Sequence, residues 1–341
     1  MRFFKGYLYF FFLMITVTGL LLGNTAVRDG QLSSYGVFSS KSNHISISEV
    51  WLNDLGMMSQ NDSVIIPLKR SGNLFLMDAI IDNESGNLVF DSGATGLVLN
   101  KTYFRNYVVI DNPASKGITG SVGTIDKVSV DRIKVYDLSF QHVTAQLAEL
   151  GHIENHRGVK ILGLFGFGLI KNFEIVFDPE NQELRLYHID NRGNRINQTT
   201  RAFKADYIQK INITNNVIFL KGTIGGKNLR FCFDTGAEAN AVTSDAPKTV
   251  LNTITINRTS KLRGSGSSMV DVLYGTMNDF MFGNTQLATM VTIVTNIDNL
   301  KEAYGVSFDG VLGYDFISNG SFCINFVKNQ LGICYLKAGK K

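Results

Sequence analysis

Beyond residue 60 the apolar positions fall in short runs, many of them alternating with polar ones and broken by Gly, Asn and Asp. Such punctuation predicts strands and tight turns. Residues 74–96, "LFLMDAIIDNESGNLVFDSGATG", read as an apolar strand, a polar turn, a second apolar strand, and then a carboxylate at its end. "DKVSVDRIKV" (126–135) and "VDVLYGTMNDFMF" (270–282) alternate as half-buried strands do. With only four prolines and few long helical periods, the pattern predicts an all-β protein. Short helices are expected only around 51–59, 240–252 and 296–303.

The pattern occurs twice. Leu74 onward aligns without a gap on "VIFLKGTIGGKNLRFCFDTGAEA" from Val217, an offset of 143 residues. Each copy ends in Asp-Ser/Thr-Gly-Ala: Asp91, Ser92, Gly93, Ala94 and Asp234, Thr235, Gly236, Ala237. One such triplet is an ordinary Asp-capped turn; two with matching apolar flanks form a repeat. Further on, Leu162-Gly163 and Leu312-Gly313 each precede an aromatic-rich turn and a hairpin. About midway in each half lies a glycine-studded stretch between strands. "KGITGSVGT" holds Gly117, Ile118, Gly120 and Gly123, and "LRGSGSSM" holds Gly264 and Gly266. Both read as hairpin tips, either flaps over a cleft or plain turns.

Composition adds bounds. The 341 residues allow two lobes, and 44% apolar with 18% charged residues fits a packed globular chain. A net charge of +4 without a basic stripe argues against a nucleic-acid partner. Arg2 and Lys5 precede an uncharged apolar run and then "GNTA", the layout of an export signal, with an uncleaved membrane anchor through residues 6–23 as the alternative. The expected organisation is 1–26 signal or anchor, 27–60 extension, 61–188 first lobe, 189–203 linker and 204–341 second lobe. The extension is either a pro-segment masking a cleft or an element packed on the first lobe. Of three cysteines, Cys232 reads as a core residue. A two-residue turn at Lys328-Asn329 would set Cys323 opposite Cys334, open to oxidation in an exported protein. His152 and His156 in "HIENH" lack the helical H-E-x-x-H order and a third ligand, and read as a solvated loop; no metal or cofactor is expected.

Together, the two Asp-Ser/Thr-Gly-Ala loops, the paired Leu-Gly motifs and the two glycine-rich hairpins resemble the aspartic proteases, and their retropepsin-like branch more closely than pepsin. The resemblance runs from Leu74 to Tyr335. It implies two pseudo-symmetric β-barrel lobes around a cleft, one aspartate from each, and an extended peptide or protein substrate for a monomeric enzyme. It also implies that Ser92 and Thr235 hydrogen-bond across the junction, and that Gly163 and Gly313 let a second segment pass behind each acid loop. Ser92 departs from the usual Thr, and neither flap candidate carries the tyrosine of a pepsin flap.

The chemistry follows from electrostatics. Two carboxylates ~3 Å apart repel by roughly 5 kcal/mol at an effective dielectric near 20, about 4 pKa units. Such a pair holds one proton between them near neutrality. The ionised member can activate a water, the protonated one can donate to the peptide carbonyl, and no metal is needed. The sequence thus predicts an exported aspartic endopeptidase with Asp91 and Asp234 as the dyad. A non-catalytic peptide- or glycan-binding module on the same fold is the rival.

Overall fold

The computed structural model describes residues 63–111, 114–117, 120–124, 126–197, 200–263 and 269–336, with two-residue strands at Leu8–Tyr9 and Ile15–Thr16. The expectations for the leader, the 27–60 extension and a helix at 51–59 otherwise lie outside the described residues.

Strand formation follows the alternation. In Lys127–Val135 the buried residues are Val128, Val130, Ile133 and Val135, while the polar positions between them face outward. This strand pairs with Leu138–Ala148 and belongs to an eight-stranded sheet that forms the first lobe. The second lobe is built on an eleven-stranded sheet with the same local order of elements. Its hairpin Val217–Ile224/Lys227–Phe233 turns through Gly225 and Gly226, both at positive φ, as a two-residue primed turn requires. The chain is nearly all β and two-lobed.

A six-stranded sheet joins the lobes. Its order is Tyr207–Lys210, Gln330–Tyr335, Gly320–Asn325, Phe173–Asp178, Glu183–His188, Ser63–Pro67. The central pair comes from different halves of the chain. Val176 faces Cys323, with Ile175 opposite Ile324 and Phe177 opposite Phe322 on either side. Above this sheet a continuous core holds Phe75, Phe90, Phe167 and Phe177 from the first half and Phe233, Phe316 and Phe322 from the second.

The described helices are short: α1 Lys101–Phe104, α2 Gly151–Arg157, α3 Lys248–Leu251, α4 Asp298–Tyr304 and α5 Tyr314–Ile317. α4 matches expectation. The helix expected over 240–252 is mostly not one: Asn240–Thr243 is a fully buried strand, and helix begins only after Pro247. "HIENH", expected as a loop, forms α2. Ile153 anchors that helix in the core and Gly158 ends it in the left-handed conformation. His152 and His156 lie on it, and among the described residues no cluster of His, Cys, Asp or Glu could hold a metal.

The cysteine register also differs. The last hairpin closes with Asn325 opposite Gln330, so Cys323 faces Gly332 and Cys334 faces Ser321. A four-residue turn forms instead of two because the Asn325 side chain accepts from Lys328 N–H and Asn329 takes a positive φ. The two cysteines are free thiols, as is Cys232.

Candidate active site

Each acid sits where an apolar strand runs out. Leu88, Val89 and Phe90 are buried, as are Phe231, Cys232 and Phe233, and the strand momentum carries Asp91 and Asp234 into the core between the lobes. Both are essentially unexposed, at 1% and 0%. Each carboxylate is held by its own loop. Asp91 Oδ1 accepts from Gly93 N–H (2.9 Å) and Ala94 N–H (3.2 Å); Asp234 Oδ1 accepts from Gly236 N–H (2.8 Å).

The glycines are required by proximity across the seam. A Cβ on Gly93 would stand 2.8 Å from Asp234 Cγ, and one on Gly236 2.5 Å from Asp91 Cγ. Any side chain there would displace the opposing carboxyl.

Asp91 Oδ2 and Asp234 Oδ2 are buried without a hydrogen-bond partner, and the two carboxyls lie close enough across the seam to act on each other. A hydrogen bond between two carboxyls requires that one of them be protonated. Burial pushes the Asp91 carboxyl well above the usual range, and the Asp234 charge and hydrogen bond push it further. Burial raises Asp234 to about 6, opposed by Gly236 N–H, by the Asp91 carboxyl, and by the N–H groups of Gly93 on the opposite loop and Ala237 on its own. Two buried carboxyls this close titrate as a pair, which favours one proton held between them.

Hydroxyls lock the two loops. Ser92 N–H donates to Thr235 Oγ1, and Thr235 N–H donates to Ser92 Oγ, both at 2.9 Å. In return Ser92 Oγ donates to the Phe233 carbonyl (2.9 Å) and Thr235 Oγ1 to the Phe90 carbonyl (2.7 Å). All four partners are buried. Ala94 and Ala237 are fully buried behind the loops, where a larger side chain would have no room.

Behind each loop runs a supporting strand. Asp234 N–H donates to the Leu312 carbonyl, and Gly313 approaches the Ala237 and Ala239 carbonyls. In the first lobe the residues in those places are Phe165 and Gly166, not Leu162 and Gly163. Asp91 N–H donates to the Phe165 carbonyl, and Gly166 is the residue pressed on the Ala94 and Gly96 carbonyls. Gly163 lies three residues earlier, against the Val98 carbonyl, as Gly310 lies against that of Ala241. The sequence "LGLFGFG" offers several glycines, and only the ladder with Leu88–Phe90 picks the correct one.

The glycine-rich stretches sit on hairpins. Ala114–Gly117 pairs with Gly120–Thr124, placing Gly117 opposite Gly120 and Gly123 opposite Ser115; Ile118 at the tip lies outside the described residues. In the second lobe Ile254–Arg263 pairs with Met269–Met277, and Gly264 and Gly266 fall between them, outside the described residues.

Several seam residues were not picked out from the sequence. Asn73 Nδ2 donates to the Glu238 carbonyl and Asn216 Nδ2 to the Thr95 carbonyl, each at 2.9 Å and each from one lobe to the other lobe's acid loop. The last residues of α2 and α4 cross as well. Arg157 pairs with the Glu238 carboxylate, while the Tyr304 hydroxyl donates to the Gly93 carbonyl at 3.3 Å. The only sequence clue was position: Asn73 and Asn216 are equivalent in the repeat, and Arg157 and Tyr304 each precede a glycine.

Residues 220–316 match the family described as "Aspartyl protease". No curated protein matches the sequence. Among solved structures, the aspartic proteinase from Irpex lacteus aligns at 12% identity and a TM-score of 0.47, covering 81% of this chain and 98% of that one. A retropepsin-like aspartic protease from Rickettsia conorii aligns at 16% identity and a TM-score of 0.28, covering 38% of this chain and 94% of that one. With one acid loop from each half and a family match over most of its second lobe, the chain resembles the retropepsin-like and pepsin-like aspartic proteases.

Proposed function

We propose that this chain is an exported aspartic endopeptidase in which Asp91 and Asp234 share one proton and activate a water. The observation that carries the reading is the pair of buried carboxyls, each set within 3 Å of where a Cβ on the opposite acid loop's glycine would stand and each with an unpartnered Oδ2. In the proposed cycle the ionised acid takes a proton from the water as it attacks the peptide carbonyl. The protonated acid donates to the carbonyl oxygen, and the roles exchange as the amine leaves. Oδ1 of each acid is held by its loop N–H groups, leaving the unpartnered Oδ2 free to exchange the proton. The two glycine-rich hairpins would close over an extended peptide, whose backbone can add to their edges. Export rests on Arg2, Lys5 and the apolar run that follows them.

The test is hydrolysis of an unstructured protein across pH 3–8 by purified wild type and Asp234→Asn. Cutting by wild type and its near-complete loss in the variant is the expected result. Equal cutting by both would refute the dyad. A peptide bound tightly by wild type but left intact would favour the binding-module alternative.

A further inference from the structure

The two lobes grip each other's acid loops in an unequal way. α2 and α4 occupy corresponding places, each ending in a left-handed glycine, Gly158 and Gly305. The residue before that glycine crosses the seam in both. Arg157 goes to a side chain four residues beyond Asp234, whereas Tyr304 goes to the backbone of the Asp91 loop itself.

Tyr304 is a built feature. It is 2% exposed, and its ring is clamped edge-on by Phe219 and Phe308, with centroids 5.7 and 5.8 Å away. The ring therefore cannot move without repacking the second core cluster, and the hydroxyl is aimed at a fixed point. The Cys232 sulfur, two residues before Asp234, lies close enough to that hydroxyl to be a rival acceptor for its proton.

The bonds form a chain. The Tyr304 O–H donates to the Gly93 carbonyl. That carbonyl belongs to the Gly93–Ala94 peptide, whose N–H donates to Asp91 Oδ1, sharing its hydrogen with the Asp91 carbonyl. A donor on the carbonyl side of a peptide polarises its N–H and strengthens the bond beyond. Asp234 has no such phenol behind it, since Arg157 holds the corresponding helix end.

We infer that Tyr304 is a positioning residue for the reaction: through the Gly93–Ala94 peptide it fixes the Asp91 carboxylate and strengthens the N–H bond that Asp91 accepts, making the two acids inequivalent. This rests on the endopeptidase reading above. The titratable groups facing Asp91 are Asp234 from the opposite loop, Cys232 from the strand before it and Tyr304 from α4. Burial, with Cys232, Asp234 and Asp91 nearby, raises the Tyr304 hydroxyl well above its ordinary value, so it remains a donor wherever the dyad titrates.

The experiment compares wild type, Tyr304→Phe and Cys232→Ala in the purified full chain. Phe keeps the ring and removes only the hydroxyl. The expected result is a kcat about three- to tenfold lower with KM within about twofold and a melting temperature only a few degrees lower at the pH optimum, the cost of the Gly93 carbonyl losing its donor. A weaker N–H bond to the carboxylate favours its protonated form, so the acid limb of the kcat/KM profile should move up by about 0.3–0.5 pH unit. Cys232→Ala, which removes the rival acceptor for that O–H, should move it in the opposite direction by less. Identical kinetics and profile in wild type and Tyr304→Phe overturn the inference. So does a variant that loses melting temperature and activity together with an unmoved profile, which would make Tyr304 a packing residue alone. Absence of hydrolysis by wild type at every pH would refute the endopeptidase reading, and the inference is then decided by melting temperature against pH. A decline with rising pH that moves to higher pH in Tyr304→Phe retains the chain of bonds, and superimposable curves reject it.

Discussion

Thr235→Val isolates the lock between the lobes. Valine keeps the shape of threonine but can neither accept from Ser92 N–H nor donate to the Phe90 carbonyl. Both groups are buried, so each is left unsatisfied at a cost of about 1–3 kcal/mol, or about 2–6 kcal/mol for the substitution. Ser92→Ala strands Thr235 N–H and the Phe233 carbonyl in the same way, so the same range applies. The hydroxyls do not bond to each other, yet all four groups line one seam. Once one hydroxyl is gone and water enters, the second costs less, and the double variant should lose less than the sum of the singles. Urea unfolding followed by far-UV circular dichroism measures all three. A loss below about 0.5 kcal/mol for either single variant would be an ordinary surface effect and would refute a buried lock. Strict additivity would refute the shared seam.

Two further predictions concern the acids. Because burial raises both carboxyls above their unfolded value of 3.8, the folded chain holds extra protons between that pH and the folded values. The dyad's contribution to stability is therefore fullest below about 3.8 and is lost as pH rises through 6 and beyond. Wild type should lose melting temperature relative to Asp234→Asn between pH 4 and 8, and parallel curves would contradict the shared-proton picture. Gly236→Ala would place a methyl 2.5 Å from Asp91 Cγ, pushing the acids apart. It should lower kcat by about a hundredfold or more with circular dichroism unchanged, and near-normal kcat would show that the carboxyls are not in contact.

The acid loops were legible because their chemistry is tied to a short contiguous motif with strands on both sides. What supports them was not. Gly166 was hidden among the glycines of "LGLFGFG", and only strand register distinguishes it from Gly163. α2 was missed because it buries a single large residue, Ile153, so a seven-residue helix leaves almost no apolar period. Tyr304 carries no local signal, since most of its surface is core. Its polar end is defined by a partner 211 residues away, which no local pattern encodes. The Cys323/Cys334 expectation failed for the opposite reason: a local symmetry was visible, but the Asn325 side chain selected a longer turn.

The ladder between Phe173–Asp178 and Gly320–Asn325 has its own implication. Backbone bonds stitch the halves together independently of the 189–203 connection, which lies against the same ladder through Arg195 to Glu174 and the Gly193 carbonyl to Asn325, so the peptide link there is redundant for holding them. A protease nick in that connection would leave a two-chain assembly still folded around its acids. The same stitching denies the halves a free hinge, so room for a substrate has to come from the hairpin arms bending outward while the floor beneath stays rigid.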